Sequence, residues 1–163
     1  MGIAHDFLEQ AKHLASYQGL NATQADLRRA ISTAYYALFH LLVEDGSQRW
    51  QGGSAAAESG IQRAFDHGPM YHTSTQFSTP FWRDWHGLQR AVPPALQRVA
   101  KAFVNLRDER QAADYDNHQQ WAISDAEEVL NIAKSAFQDW DSVRTDPMAG
   151  NYLLAMLLGK RRQ

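Results

Sequence analysis

Cysteine is absent from this 163-residue chain, which excludes disulfides and thiolate metal sites. Charge of either sign is not in excess: 16 Lys and Arg stand against 18 Asp and Glu, a formal net charge of −2. That balance argues against a globally basic nucleic-acid binder and leaves room for a local basic patch only. No long hydrophobic run occurs; the most apolar stretch, residues 152–158, is far too short to cross a bilayer. The first residues, MGIAHDFLEQ, are amphipathic and acidic rather than signal-like. The expectation is a cytoplasmic protein without membrane contact. GxSxG, P-loop, GxGxxG and HExxH motifs are all missing, and so is a paired Glu-x-x-His, which leaves the standard hydrolase, NTPase, dinucleotide and di-iron sites unsupported. Repeats, low-complexity tracts and sustained strand-type alternation are missing too.

What is present is helical periodicity. In residues 26–44, Leu27, Ile31, Ala34, Leu38, Leu41 and Leu42 recur at spacings of three and four, widened by Tyr35 and Phe39. A stripe this broad needs partners on more than one side. On another face, Arg29, Thr33, Tyr36 and His40 line up at the same spacings and form a polar strip. Thr23 or Asn21 is a candidate cap, and Gly46 a candidate stop. Residues 4–17 form an amphipathic helix with Phe7, Leu8, Ala11, Leu14 and Ala15 inward, and Gly19 and Asn21 turn the chain. Gly46, Gly52 and Gly53 mark a loose connection to a weaker helix over 54–66, with Ala55, Ala56, Ala57, Ile61, Ala64 and Phe65 inward and Gly68-Pro69 as its end. Residues 70–86 read as an ordered aromatic flap, with a short helix starting near Pro80.

Pro94 suits the first turn of a helix over 94–111, with Leu96, Val99, Phe103, Leu106 and Arg110 on one face. Ser124-Asp125-Ala126-Glu127 reads as a capping box for a helix over 125–143. Pro147 precedes a last short helix over 149–158, apolar nearly all round, which must be buried on the bundle or on a second subunit. The expected fold is therefore one all-α domain over 1–163: an up-down bundle of four long helices with one or two short ones, including a short C-terminal helix.

Seven histidines raise the question of a metal. Their spacings answer against it: His67 and His72 are separated by Gly68-Pro69 and share no helical face, so neither a metal nor a cofactor is expected. The other chemistry-bearing stretch is Arg110-Gln111-Ala112-Ala113-Asp114-Tyr115. If the helix continues to Asp114, Arg110 and Asp114 lie one turn apart and pair. That pair is either a surface ion pair worth about 0.5 kcal/mol or a guanidinium presented to an anion in a cleft and oriented by Asp114.

Two motifs in this order, Arg29-Ala30-Ile31-Ser32-Thr33-Ala34-Tyr35-Tyr36-Ala37-Leu38-Phe39-His40 and Arg110-Gln111-Ala112-Ala113-Asp114-Tyr115, resemble a small family of the HEPN domain superfamily that carries AYYA-x-F-H and R-x-x-A-D-Y. His67-Gly68 also resembles that family's pattern, and the likeness spans roughly residues 5 to 140. It implies a helical bundle dimerised through the motif face. It also implies RNA cleavage, nucleotide binding, or toxin–antitoxin pairing with a nucleotidyltransferase-like partner. Catalytic HEPN ribonucleases carry Arg, four to six residues, then His. Here Tyr115 stands where the shortest version has His, and His118 comes after seven intervening residues. Many relatives carry Arg at the place of Thr33.

Two functional expectations follow. The first is a binding module in which Arg29, Tyr36, His40, Arg110, Asp114 and Tyr115 surround a polar cleft for a nucleotide, RNA or a partner protein. The second is a metal-independent endoribonuclease in which Arg110 stabilises phosphate while Tyr115 or His118 replaces the missing histidine, or His40 is recruited across the bundle. A ribonuclease needs a group that moves protons near pH 7, which histidine does and tyrosine, near pKa 10, does not. A purely structural interaction domain is the third reading. The plainer roles are a tyrosine-lined core for Tyr35 and Tyr36, a hydrogen-bonded His40, solvated Arg28 and Arg29, a packed flap for Trp82 and Trp85 (stacked bases being their sharper use), and a polar tail at 160–162.

Overall fold

The computed structural model describes residues 2–16, 22–50 and 54–159. These form an all-α helical bundle with one two-stranded hairpin. In chain order the elements are α1 (Ile3–Ser16), α2 (Gln24–Arg49), α3 (Ala55–Ala64), α4 (His67–Phe77), β1 (Phe81–Arg83), β2 (Gln89–Ala91), α5 (Pro94–Tyr115), α6 (Ile123–Val143) and α7 (Pro147–Leu158). The expected turn at Gly19 and Asn21, the glycines at 52 and 53 and the tail at 160–162 lie outside the described residues.

α2 is the axis, packed by α1, α5 and α6 together. Its broad apolar stripe is the cause: Ile31, Ala34, Tyr35, Leu38 and Leu42 are all inaccessible to solvent. Each large aliphatic side chain removed from water contributes about 1.5–3 kcal/mol before entropy is counted. Thr23 caps α2 as expected. Its hydroxyl accepts from Asp26 N, while its own N–H donates to the Asp26 carboxylate at 3.0 Å. α5 supplies Leu96, Val99, Phe103 and Leu106 to the core, and α6 supplies Val129, Ala133, Ala136 and Trp140.

Several local expectations are corrected. Gly46 does not stop α2, which runs on to Arg49. Instead a Cβ at Gly46 would lie 2.5 Å from the Phe65 ring, so the glycine lets the chain after α3 cross α2 closely. α3 buries none of its own residues; only Phe65, at its end, enters the core. Gly68-Pro69 does not end a helix but sits in the first turn of α4, where a missing proline N–H costs nothing. No helix starts near Pro80. Residues 81–91 form the hairpin, with Trp82 opposite Arg90. Its turn is closed by the Asp84 carboxylate, which accepts from His86 N and Leu88 N at 2.9 Å, and by Gly87 at φ 80°. The flap does pack down through Trp82, 4.7 Å from the Phe77 ring, whereas Phe81 and Trp85 stay exposed. α6 begins at Ile123, before Ser124: the Ala122 N–H donates to the Asp125 carboxylate at 2.7 Å.

α7 extends from Pro147, capped by Asp146, and buries Ala149, Tyr152, Leu153 and Met156. The Tyr152 and Ser74 hydroxyls meet at 2.7 Å in the interior and tie α7 to α4. Among the described residues no helix is long and apolar enough to cross a membrane.

Candidate functional site

The polar strip of α2 becomes the floor of a groove. Arg29, Thr33, Tyr36 and His40 line it from α2; Phe7, Gln10 and Leu14 line it from α1; Asp114 closes it from the end of α5. The groove encloses about 750 Å³. It exists because α2 carries a polar side at the level where α1 covers it only in part.

Two adjacent arginines divide the work at its rim. Arg28 is fastened: Nη1 donates to the Ala113 carbonyl and Nη2 to the Gln119 carbonyl, both at 2.7 Å. It thereby fixes the end of α5 and the turn after it. Arg29 is exposed and has no hydrogen-bond or ion-pair partner among the described residues.

α5 does continue to Asp114, so the expected pair forms: Arg110 Nε lies 2.8 Å from Asp114 Oδ2. The contact is close but not aligned as a hydrogen bond, and the buried Nε–H has no other partner. Asp114 also accepts from the Ser32 hydroxyl at 2.5 Å, which joins α5 to α2. Arg110 Nη2 donates to the Tyr36 hydroxyl at 3.1 Å. The guanidinium carbon stands 5.5 Å from the Tyr36 ring centre and 5.9 Å from those of Tyr35 and Tyr115. Only 17% of the Arg110 side chain is exposed. A charge this desolvated attracts an anion more strongly than a surface arginine does. Nη1 has no protein partner and opens to solvent. The surface-ion-pair alternative for Arg110 and Asp114 therefore gives way to a half-buried network with one donor group left over.

Two histidines flank this network. His40 stacks on Phe7 at 5.0 Å, and both its ring nitrogens are open. Burial depresses its proton affinity below the ordinary value, against the pull of Glu44. His67, from the first turn of α4, stacks on Phe39 at 4.4 Å and shares a hydrogen bond between its Nδ1 and the Tyr35 hydroxyl at 2.6 Å. Burial first, and then the Arg110 charge, lowers its proton affinity. Since both rings contact Phe39, their centres are no more than about 10 Å apart.

The predicted site residues thus separate. Arg29, Tyr36, His40 and Asp114 line one groove, and Arg110 is bonded to two of its walls. Tyr115 is 65% exposed and, with His118, opens onto a separate shallow depression also lined by Asp108 and Asp116. The backbone N–H of His118 is turned onto the Asp116 carboxylate at 2.9 Å. Ser32, Tyr35 and His67 were not among the residues expected in the site. Ser32 was legible, one turn before Tyr36 on the same side of α2. His67 carried a signal in its His-Gly step, but its contact with Tyr35 depends on how α4 crosses α2. Among the described residues no group of three or more His, Asp or Glu is placed to hold a metal ion.

Comparison with known proteins leaves the chain by itself. No protein-family model matches it, and neither does a curated protein or a solved structure.

Proposed function

We propose that the groove between α1, α2 and the end of α5 binds a phosphate-bearing ligand, a nucleotide or single-stranded RNA. The observation that carries this reading is an unequal use of three arginine positions. Arg28 spends its donors on carbonyls, while Arg29 spends none and Arg110 keeps Nη1 open beside Tyr36. Guanidinium groups with donors to spare, one lining the groove (Arg29) and one bonded to its wall at Tyr36 (Arg110), suit phosphate oxygens. Phe7, Tyr36 and His40 give the same groove flat rings for a base. The slightly negative overall charge fits a local patch rather than an extended nucleic-acid surface. The HEPN-like motifs agree with this reading, and they also suggest a homodimer and a nucleotidyltransferase-like partner. Light scattering and co-purification test those two suggestions.

A second reading, a metal-independent endoribonuclease, is favoured by one observation. His40 lines the groove with both nitrogens open and is kept neutral by burial, which makes it a competent proton acceptor near pH 7. On this reading His40, rather than Tyr115 or His118, takes the proton of a ribose 2′-hydroxyl while Arg110 holds the phosphate.

The deciding experiment is a fluorescence-anisotropy titration of labelled single-stranded RNA, with unlabelled nucleotide as competitor, on wild type and Arg110→Ala. Saturable binding that the variant loses supports the reading. No binding by clean wild-type protein at low salt overturns it. Incubation of the same RNA without metal then separates binding from cleavage; 2′,3′-cyclic phosphate ends lost in His40→Ala would establish the second reading.

A further inference from the structure

The hydrogen bond between Tyr35 and His67 decides where the imidazole proton sits. Tyr35 is inaccessible to solvent, and among the described residues its hydroxyl has His67 as its sole hydrogen-bond partner. Burial holds the phenol proton far more firmly than in water. A buried phenol with one neighbour must donate to that neighbour or leave its O–H unpaired. Donation fills the Nδ1 lone pair, so the proton of the neutral ring is on Nε2. Nε2 has no protein partner and is open to solvent. His67 is thus held as a neutral N–H donor, with its ring fixed from one face by Phe39 and from the edge by Tyr36, whose ring centre is 6.0 Å away.

The open Nη1 of Arg110 belongs to the same neighbourhood, since its guanidinium lies 5.5 Å from that Tyr36 ring. The groups that face His67 are Arg110 and Arg107 from α5, Asp66 just before α4, and His40 and the two tyrosines from α2. Two cations and one carboxylate make this an environment that disfavours a further positive charge on the ring. It leaves the anion attraction to Arg110 and the geometry to the neutral imidazole.

We propose that His67 Nε2–H and Arg110 Nη1, from two groups that both lie against the Tyr36 ring, are paired donors to the phosphate group of the ligand, and that Tyr35 positions His67 by fixing its tautomer. The proposal rests on the phosphate-binding reading above and names the chemistry within it. A neutral imidazole in this role binds without taking up a proton. Affinity then does not fall as the pH rises from 7 to 8, because it does not need His67 to be charged.

The test uses inorganic phosphate, adenosine 5′-monophosphate and a ten-nucleotide single-stranded RNA as probes on the full chain. With 15N-labelled histidine, the ligand-free wild type should show His67 protonated at Nε2 at pH 7.5. His67→Ala should weaken all three probes about tenfold or more, the scale of one hydrogen bond to a charged group. His67→Gln, which places a neutral N–H donor at similar reach, should recover most of that loss. Tyr35→Phe should weaken binding less and shift the His67 proton toward Nδ1. Which of the nucleotide and the RNA binds more tightly identifies the source of the phosphate. Circular dichroism checks each fold; if His67→Ala unfolds, the Gln and Phe variants decide.

A wild type that binds none of the probes overturns both this proposal and the reading beneath it. A wild type that binds, with His67→Ala unchanged, or with the proton found on Nδ1, overturns the proposal alone. Loss for the nucleotide and RNA with inorganic phosphate unaffected also overturns it, because the contact would then be to sugar or base.

Discussion

Near the C-terminal end of α2, Asp45 receives two guanidinium groups. Arg49 Nη2 reaches one carboxylate oxygen at 3.2 Å and Arg144 Nη2 reaches the other at 2.7 Å. Arg49 also donates to the Arg144 carbonyl. Toward the other end of α2, Asp114 receives one guanidinium and the Ser32 hydroxyl. The residue types are nearly the same, but the exposure of the carboxylate and its place relative to the groove differ. The Asp45 side chain is 7% exposed and accepts on both oxygens, so that cluster closes a corner between α2, α6 and α7. The Asp114 side chain is 29% exposed and lines the groove, and its arginine keeps a donor group without a protein partner. A buried carboxylate held by two guanidinium groups is a fastening; a partly exposed one that lines a groove is a place for something else to bind.

The contrast predicts opposite phenotypes at the two ends. The largest effect falls on Asp45→Ala, which strands two guanidinium groups at the corner and should cost about 2–4 kcal/mol in urea unfolding. Ligand affinity measured on the folded fraction should stay within about twofold. An unchanged midpoint would mean that the corner is not a fastening. Arg110→Ala should do the reverse: a loss of about tenfold or more in affinity, and a stability change of about 1 kcal/mol or less, because Asp114 keeps Ser32 and turns to water. Arg29→Ala should weaken RNA binding more modestly, by about threefold, and reduce the slope of log affinity against log salt by about one. An unaltered slope would remove Arg29 from the site.

The smallest effect is a pH dependence of stability. His40 and His67 both have lowered proton affinity in the folded state, so the unfolded chain binds more protons in the range below its ordinary histidine pKa of about 6.5. Stability is therefore fully present above about pH 6.5 and declines as the pH falls through that value. Thermal unfolding at pH 7.5, 6.5 and 5.5 checks the sign, and His40→Asn should flatten part of the fall. A rise in stability on acidification would contradict the burial argument for both rings.

Reading from sequence reached the parts that are set by local periodicity. The α2 stripe, the Thr23 cap, Pro94 at the first position of α5, and the pairing of Arg110 with Asp114 are all consequences of helical spacing. Gly68-Pro69 misled because the same dipeptide both ends helices and begins them, and only the next element decides. The hairpin escaped because three-residue strands carry no usable alternation; Asp84 followed by Gly87 was the signal, a carboxylate that folds back onto N–H groups and a residue free to take positive φ. α3 has the small residues of an inward face but lies on the surface, since composition does not say what covers a helix. Tyr35 with His67 is the plainest case of what spacing cannot give: the two are joined only by the crossing of α4 over α2. His118 was placed in the site on sequence proximity to Arg110, and the turn after α5 puts it on a different depression.

The most direct test of the account sets the two ends of α2 side by side. RNA affinity and urea stability would be measured together for wild type, Arg110→Ala and Asp45→Ala. The account predicts a double dissociation, with affinity lost and stability kept in Arg110→Ala, and stability lost and affinity kept in Asp45→Ala. Binding that survives in Arg110→Ala, or falls equally in both variants, would contradict it.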